Sequence, residues 1–206
     1  LESSLKKLNS NNKEKLQISV IGLGYVGLPL AVEFSKKFSV IGYDKSSSRV
    51  SDLKNGLDRT GEISKAELIK TKNLIITDDE TKISTANIFI VTVPTPVDNN
   101  NNPDLSHIKE ATNIIGKSLD KNDTVIYEST VFPGCTEEFC VPILEKQSKL
   151  KYNVDFFCGY SPERINPGDK EHSLTKVVKI TSGSNQIVAD FIDSLYNEII
   201  KAGTHK

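Results

Sequence analysis

A short apolar run, LQISVIGLG, passes through GLGYVG into the amphipathic stretch YVGLPLAVEFSKKF, and this junction limits the fold more than any other feature of the chain. The run is rich in Ile and Val and has strand length, whereas Val26, Leu30, Ala31 and Phe34 fall near one face of a helix. Gly22, Gly24 and Gly27 therefore stand in GxGxxG spacing between a predicted strand and a predicted helix. Gly22 permits a tight turn there, Gly24 lets the backbone approach a pyrophosphate, and Gly27 lets the helix pack closely on the strand. Leu23, Tyr25 and Val26 complete the turn, and the helix N-terminus offers free amides and a positive dipole end to a diphosphate. SVIGYD then reads as a second strand ending in Asp44, 20 residues beyond Gly24. A carboxylate there can accept hydrogen bonds from both ribose hydroxyls and repels a 2′-phosphate, so NAD is expected rather than NADP. Arg49 is expected to lie against the adenine or touch the ribose. The plainer reading of these two side chains is a capping aspartate and a solvated arginine.

The rest of the chain alternates short apolar runs with longer amphipathic ones, the pattern of βαβ units. SSSRVSDLKNG and ISKAELIKT predict helices, and NLIITDD, NIFIVTVPTP and DTVIYEST predict strands. DLSHIKEATNIIGKSL spaces Leu105, Ile108, Ile115 and Leu119 as a helix does, after a loop marked by Asn99 to Asn102. PGCTEEFCVPILEKQSK predicts a helix opening at Pro133 and kinked at Pro142. VDFFCGYSPE and KVVKITSG are the last predicted strands, and SNQIVADFIDSLYNEII a closing helix. The expected fold is α/β and Rossmann-like: a doubly wound, mostly parallel sheet with helices on both faces, spanning residues 16–206 after a polar tail at 1–15.

The chain has 206 residues, 26 Lys plus Arg against 27 Asp plus Glu, and a formal net charge of −1, so nothing attracts it generally to nucleic acid or anionic membranes. No run approaches the roughly 20 apolar residues of a membrane span, and no signal-peptide core opens the sequence. Three cysteines, Cys135, Cys140 and Cys158, are too few and too irregular for a disulfide framework, which makes a reducing cytoplasm the expected address. No pair has zinc-ligand spacing, no metal site is expected, and the scattered His107, His172 and His205 suggest no triad.

Together with GLGYVGLPLA, three later segments, VTVPTP (Val91 to Pro96), YESTVFPG (Tyr127 to Gly134) and SPERINPGDK (Ser161 to Lys170), resemble the NAD-binding half of the UDP-glucose/GDP-mannose dehydrogenase family. The SPERINPGD form and GLDRTGEI, Gly56 to Ile63, are most similar to its UDP-N-acetylhexosamine 6-dehydrogenase branch. The resemblance implies oxidation of a sugar-nucleotide C6 alcohol to a carboxylate by two hydride transfers with two NAD, the aldehyde being held on a cysteine as a thiohemiacetal and then a thioester. It implies that Thr95 and Thr130 approach the nicotinamide end of the cofactor and the catalytic water, with Ser129 also among the cofactor-binding residues. By the same likeness Glu163 is the general base around thioester hydrolysis, and Arg164 and Asn166 stand near the sugar. These segments end predicted strands of one parallel sheet, where such sheets bind ligands. Read without the likeness they are ordinary loop chemistry: stiffened turns, a helix cap and a surface carboxylate.

The family's nucleophilic cysteine lies in a glycine-rich GGSCFPKD-like segment, and no such segment occurs here. The three cysteines present sit on a predicted helix and an apolar strand, where thiols are inert. The chain contains no methionine and stops at KAGTHK, directly after the closing helix, whereas the resemblance implies a long connecting helix and a sugar-nucleotide-binding half beyond it. The expectation is therefore a truncated chain that binds NAD and does not turn over substrate alone, from a full-length protein that is a homodimer or higher oligomer and takes a UDP-sugar. Two other functions remain open at this point: a free-standing NAD-binding sensor module, and a dehydrogenase for another substrate, either UDP-glucose, GDP-mannose or a single-hydride 3-hydroxyacid.

Overall fold

The apolar run after Leu16 forms strand β1, Gln17–Ile21, and its neighbours follow from the side-chain alternation of a two-faced sheet. In the computed structural model, which describes residues 16–97, 102–164, 168 and 174–206, seven strands make one sheet. They are β1, β2 (Ser39–Tyr43), β3 (Leu74–Thr77), β4 (Ile88–Val91), β5 (Thr124–Tyr127), β6 (Phe157–Tyr160) and β8 (Ser182–Gly183), in the order β3-β2-β1-β4-β5-β6-β8. All pairs are parallel except β6 with β8. From β1 the chain runs outward to β2 and β3, returns to the other side of β1 as β4, and runs outward again. That reversal opens a crevice beyond the carboxyl ends of β1 and β4, the place where such sheets hold ligands.

Both faces are covered. Ile18 and Val20 of β1 and Ile88 and Ile90 of β4 join α1 (Gly27–Ser35) and α6 (Gln186–Asn197) in one core cluster. Ile21, Phe89 and Val91 point the other way, into a second cluster with α4 (Ser106–Ser118) and α5 (Val141–Ser148). The Phe34 ring of α1 meets the Tyr196 ring of α6 edge-on at 5.5 Å, a contact contributing about 1 kcal/mol beyond burial. Two short helices, α2 (Ser47–Lys54) and α3 (Lys65–Lys70), connect β2 to β3, and α3 opens with a complete Ser64–Glu67 capping box.

Two sequence expectations are corrected. KVVKITSG is not one strand: β7 (Lys179–Ile180) pairs with β9 (Thr204–His205) in a separate ribbon, and only β8 joins the main sheet. The helix predicted from Pro133 begins at Cys135 as a π-helical stretch to Cys140, after Gly134 in the left-handed region. The Val141 N–H donates to the Thr136 carbonyl across this wide turn, so Pro142, which has no N–H to give, falls in the first turn of α5 and not in a helix interior. The tail at 1–15 and most of the Asn tract lie outside the described residues.

Asp123, in the turn before β5, is buried and accepts the Asp120 N–H at 2.7 Å. Burial pushes its carboxyl up to about 7 against the pull of that amide, with the Asp120 charge adding to the rise. The folded chain then holds a proton between about pH 4 and 7 that the unfolded chain releases, so this group lowers stability as pH rises through that window. Asp123→Asn keeps an acceptor and cannot ionise. Its thermal midpoint is expected to gain several degrees on the wild type between pH 5 and pH 8, measured by circular dichroism in matched ionic strength. A gap constant with pH would refute the assignment.

Candidate active site

At the crevice, Gly22 has a φ of +94° and turns the chain out of β1, donating to the Tyr43 carbonyl at 2.8 Å. A Cβ at Gly27 would stand 1.9 Å from the Gly22 carbonyl oxygen and 2.3 Å from Thr92 Oγ1, so α1 approaches the turn as only glycine permits. A Cβ at Gly24 would meet nothing within 4 Å. Helices α2, α3 and α6 each begin under a side-chain cap, whereas α1, like α4 and α5, has none and no acidic residue in its first turn; of these three only α1 starts at the glycine turn. Its leading amides thus keep donor capacity for an anion.

Asp44 closes one end of the crevice. Its Oδ2 accepts the Leu23 N–H and its Oδ1 the Ser46 N–H, both at 2.9 Å, leaving each oxygen a further lone pair. Arg49 is drawn to the turn itself: Nε donates to the Leu23 carbonyl at 2.9 Å, and Nη2 lies 2.8 Å from Asp58 Oδ1. Burial works to raise the Asp58 carboxyl, but the Ile63 and Thr60 amides, the Thr60 hydroxyl and Arg49 outweigh it and hold the group below the usual range. The same loop reaches further, since Glu62 Oε1 accepts the Gly168 N–H at 2.9 Å.

One cleft joins Gly22, Gly24, Tyr25, Val26 and Asp44 to Thr95, Ser129, Thr130 and Glu163. The loops after β4 and β5 are tied across it, Thr95 Oγ1 donating to the Thr130 carbonyl at 2.5 Å and Ser129 Oγ to the Val93 carbonyl at 2.7 Å. Glu163 Oε1 accepts the Arg164 N–H at 2.7 Å, while the Arg164 guanidinium donates to the Val178 carbonyl at 3.1 Å. Asn166 lies outside the described residues. Beyond Asp44 a second, mainly apolar cavity is lined by Ile21, Tyr43, Val93, His107, Ala111 and Ile114.

Sequence reasoning missed Glu128, which also lines the cleft and is 1% exposed. Its Oε1 takes the Lys179 ammonium and its Oε2 accepts the Tyr196 hydroxyl at 2.6 Å. Burial raises its carboxyl, opposed by Lys179 and Tyr196. The available signal was Lys179 in the apolar run KVVKIT, because a lysine within such a run is buried only with a partner. The three thiols are buried, and burial pushes Cys140 up to about 12 and Cys158 well above its ordinary value. Among the described residues no group of three or more His, Cys, Asp or Glu is set to hold a metal, and no helix is long and apolar enough to cross a membrane.

Residues 16–200 match the NAD-binding domain of the UDP-glucose/GDP-mannose dehydrogenase family. The chain belongs to this family. The UDP-N-acetyl-D-glucosamine 6-dehydrogenases of Pseudomonas aeruginosa and Salmonella typhi are 56% and 51% identical to it over 93% and 94% of its length. The chain spans about 45% of each of these relatives. Among solved structures it is similar to the UDP-D-ManNAc dehydrogenase of Pyrococcus horikoshii, with a TM-score of 0.84 at 32% identity, over 92% of this chain and 46% of that one. An NDP-N-acetyl-D-galactosaminuronic acid dehydrogenase from Methanosarcina mazei gives 0.86 at 28% identity, over 97% and 45%. As an NAD-binding domain of this family the chain has the doubly wound sheet read from its sequence, and the uncapped helix, the glycine turn and the acid after β2 fit a dinucleotide.

Proposed function

We propose that this domain serves a dehydrogenase that oxidises the C6 alcohol of a UDP-N-acetylhexosamine to the uronic acid, consuming two NAD and water, for surface polysaccharide synthesis in the cytoplasm. The observation that carries this reading is the single cleft running from Asp44, past the uncapped start of α1, to Thr130 and Glu163. The similarity to two UDP-N-acetyl-D-glucosamine 6-dehydrogenases supports the substrate class. NAD supplies the hydride acceptor when bound. Asp44 holds the adenosine ribose, the apolar cavity beside it seats the adenine, and the amides opening α1 face the pyrophosphate. Thr95, Ser129 and Thr130 border the nicotinamide end. Glu163 takes up a proton from water during hydrolysis, with Arg164 and Asn166 toward the sugar. A carboxylate reaching the same cleft as the cofactor turn favours an enzyme over a sensor, which needs only the turn and Asp44. The intact protein is a homodimer or higher oligomer.

Calorimetric titration tests the cofactor assignment. NAD is expected to bind at least tenfold more tightly than NADP, and Asp44→Ala to weaken NAD about tenfold to a hundredfold while narrowing that gap. NADP binding as tightly as NAD would contradict the role of Asp44. In the intact protein, two NADH per UDP-N-acetylhexosamine are expected, and one NADH per substrate would overturn the reaction.

A further inference from the structure

The segment carrying Glu163 lies along β7 and the residue before it, Val178, and touches them at successive points. Ser161 Oγ donates to the Ile180 carbonyl at 2.7 Å, Lys179 Nζ to the Pro162 carbonyl at 3.4 Å, and Arg164 Nη1 to the Val178 carbonyl at 3.1 Å. The middle contact differs from the others, because there the strand supplies a side chain and that side chain is anchored inward. Lys179 is 4% exposed, ion-paired with Glu128, whose other oxygen is held by Tyr196 of α6. A buried ion pair adds little stability over apolar residues of equal volume, so stability alone gives no reason for one at this place. Its geometry supplies a reason: the ammonium joins the end of β5, which leads into Ser129 and Thr130, to the residue immediately before Glu163.

We propose that Lys179 is a positioning residue of this site: anchored by Glu128 and Tyr196, its ammonium holds the Pro162 carbonyl and thereby fixes where the Glu163 carboxylate stands over the cleft. The catalytic consequence rests on the reading of Glu163 given above; the clamp itself does not.

Lys179→Met alone strands a buried carboxylate and risks unfolding, so the decisive variant is Glu128→Gln/Lys179→Met in the intact protein, which leaves no unpaired charge. Two readouts separate the clamp from the chemistry. Hydrogen exchange at the Arg164 amide, which the Glu163 carboxylate accepts, is expected to quicken at least tenfold. With UDP-N-acetylglucosamine, kcat is expected to fall about a hundredfold, as for a displaced catalytic group, while KM for NAD stays within twofold. Arg164 exchange within twofold of wild type overturns the clamp whatever the turnover does, including in a protein inactive on every UDP-sugar. Faster exchange with unchanged kcat supports the clamp and overturns the role of Glu163. Equal losses in kcat and in NAD affinity would mark a general collapse of the cleft and overturn the positioning role.

Discussion

Gly27→Ala is expected to weaken NAD binding at least a hundredfold and to destabilise the domain by about 3 kcal/mol, the upper part of the usual overpacking range. The added methyl would sit 1.9 Å from the Gly22 carbonyl oxygen, and neither neighbour can retreat freely. Thr92 Oγ1 donates to that same oxygen at 2.7 Å, and the Thr92 N–H is bonded to the Ile21 carbonyl at 2.9 Å. Relief requires α1 to lift away from β1, carrying its leading amides off the crevice. Gly24→Ala is the informative contrast. Its methyl enters open space, so the thermal midpoint should remain within a degree or two of wild type while NAD affinity falls, because the methyl occupies the path of the pyrophosphate. Calorimetry and thermal denaturation on both variants check this. Equal destabilisation by the two would mean that the turn is a packing element and not a binding surface.

Glu128→Ala is expected to lower stability by about 3–5 kcal/mol, the range for breaking one partner out of a buried ion pair. The substitution leaves the Lys179 ammonium and the Tyr196 hydroxyl, both nearly inaccessible to water, without their principal acceptor. Domains as a class are stable by only about 5–15 kcal/mol, so this is a large share of the total. For a chain of this size the midpoint should drop on the order of 10 °C. Glu128→Gln keeps one acceptor oxygen for Lys179, and its amide can donate to the Tyr196 hydroxyl, but it leaves the ammonium without a counter-charge, so it should lose less than Glu128→Ala while remaining clearly below wild type. Urea denaturation with the two variants side by side decides the matter; a loss below about 1 kcal/mol for Glu128→Ala would show that water reaches the pair.

How much of this was legible in the sequence follows from which interactions are local. GLGYVG with its flanking strand and helix is a contiguous signal, as are Ser64 with Glu67 and the unbroken apolar run Ile88–Val91, and the doubly wound sheet follows from such signals. The partition of KVVKITSG between two sheets depends on partners 20 or more residues away, such as Thr204 for Lys179 and Gly159 for Gly183, which no local pattern encodes. The π-helical stretch before Pro142 conserves the helix direction while changing its period, so a periodicity argument passes over it. Arg49 stands close to Asp44 in sequence, but the carboxylate that pairs with it is Asp58 of GLDRTGEI, and no local pattern in that segment encodes its placement against the arginine. Glu128 shows the same limit. A carboxylate at the end of an apolar run looks like any exposed strand end until a lysine 51 residues later is placed against it.

The reversal of strand order at β1 divides the sheet into two wings whose strands meet at the β1–β4 pairing, from Ile18 with Ile88 to Ile21 with Val91. In the proposed pose the adenosine rests on the wing built from β1, β2 and β3, and the nicotinamide on the wing built from β4, β5 and β6. The cofactor therefore bridges the joint like a fishplate across two rails. Separating the wings would require releasing it, so its concentration relative to its dissociation constant adds to the equilibrium stability of the folded domain.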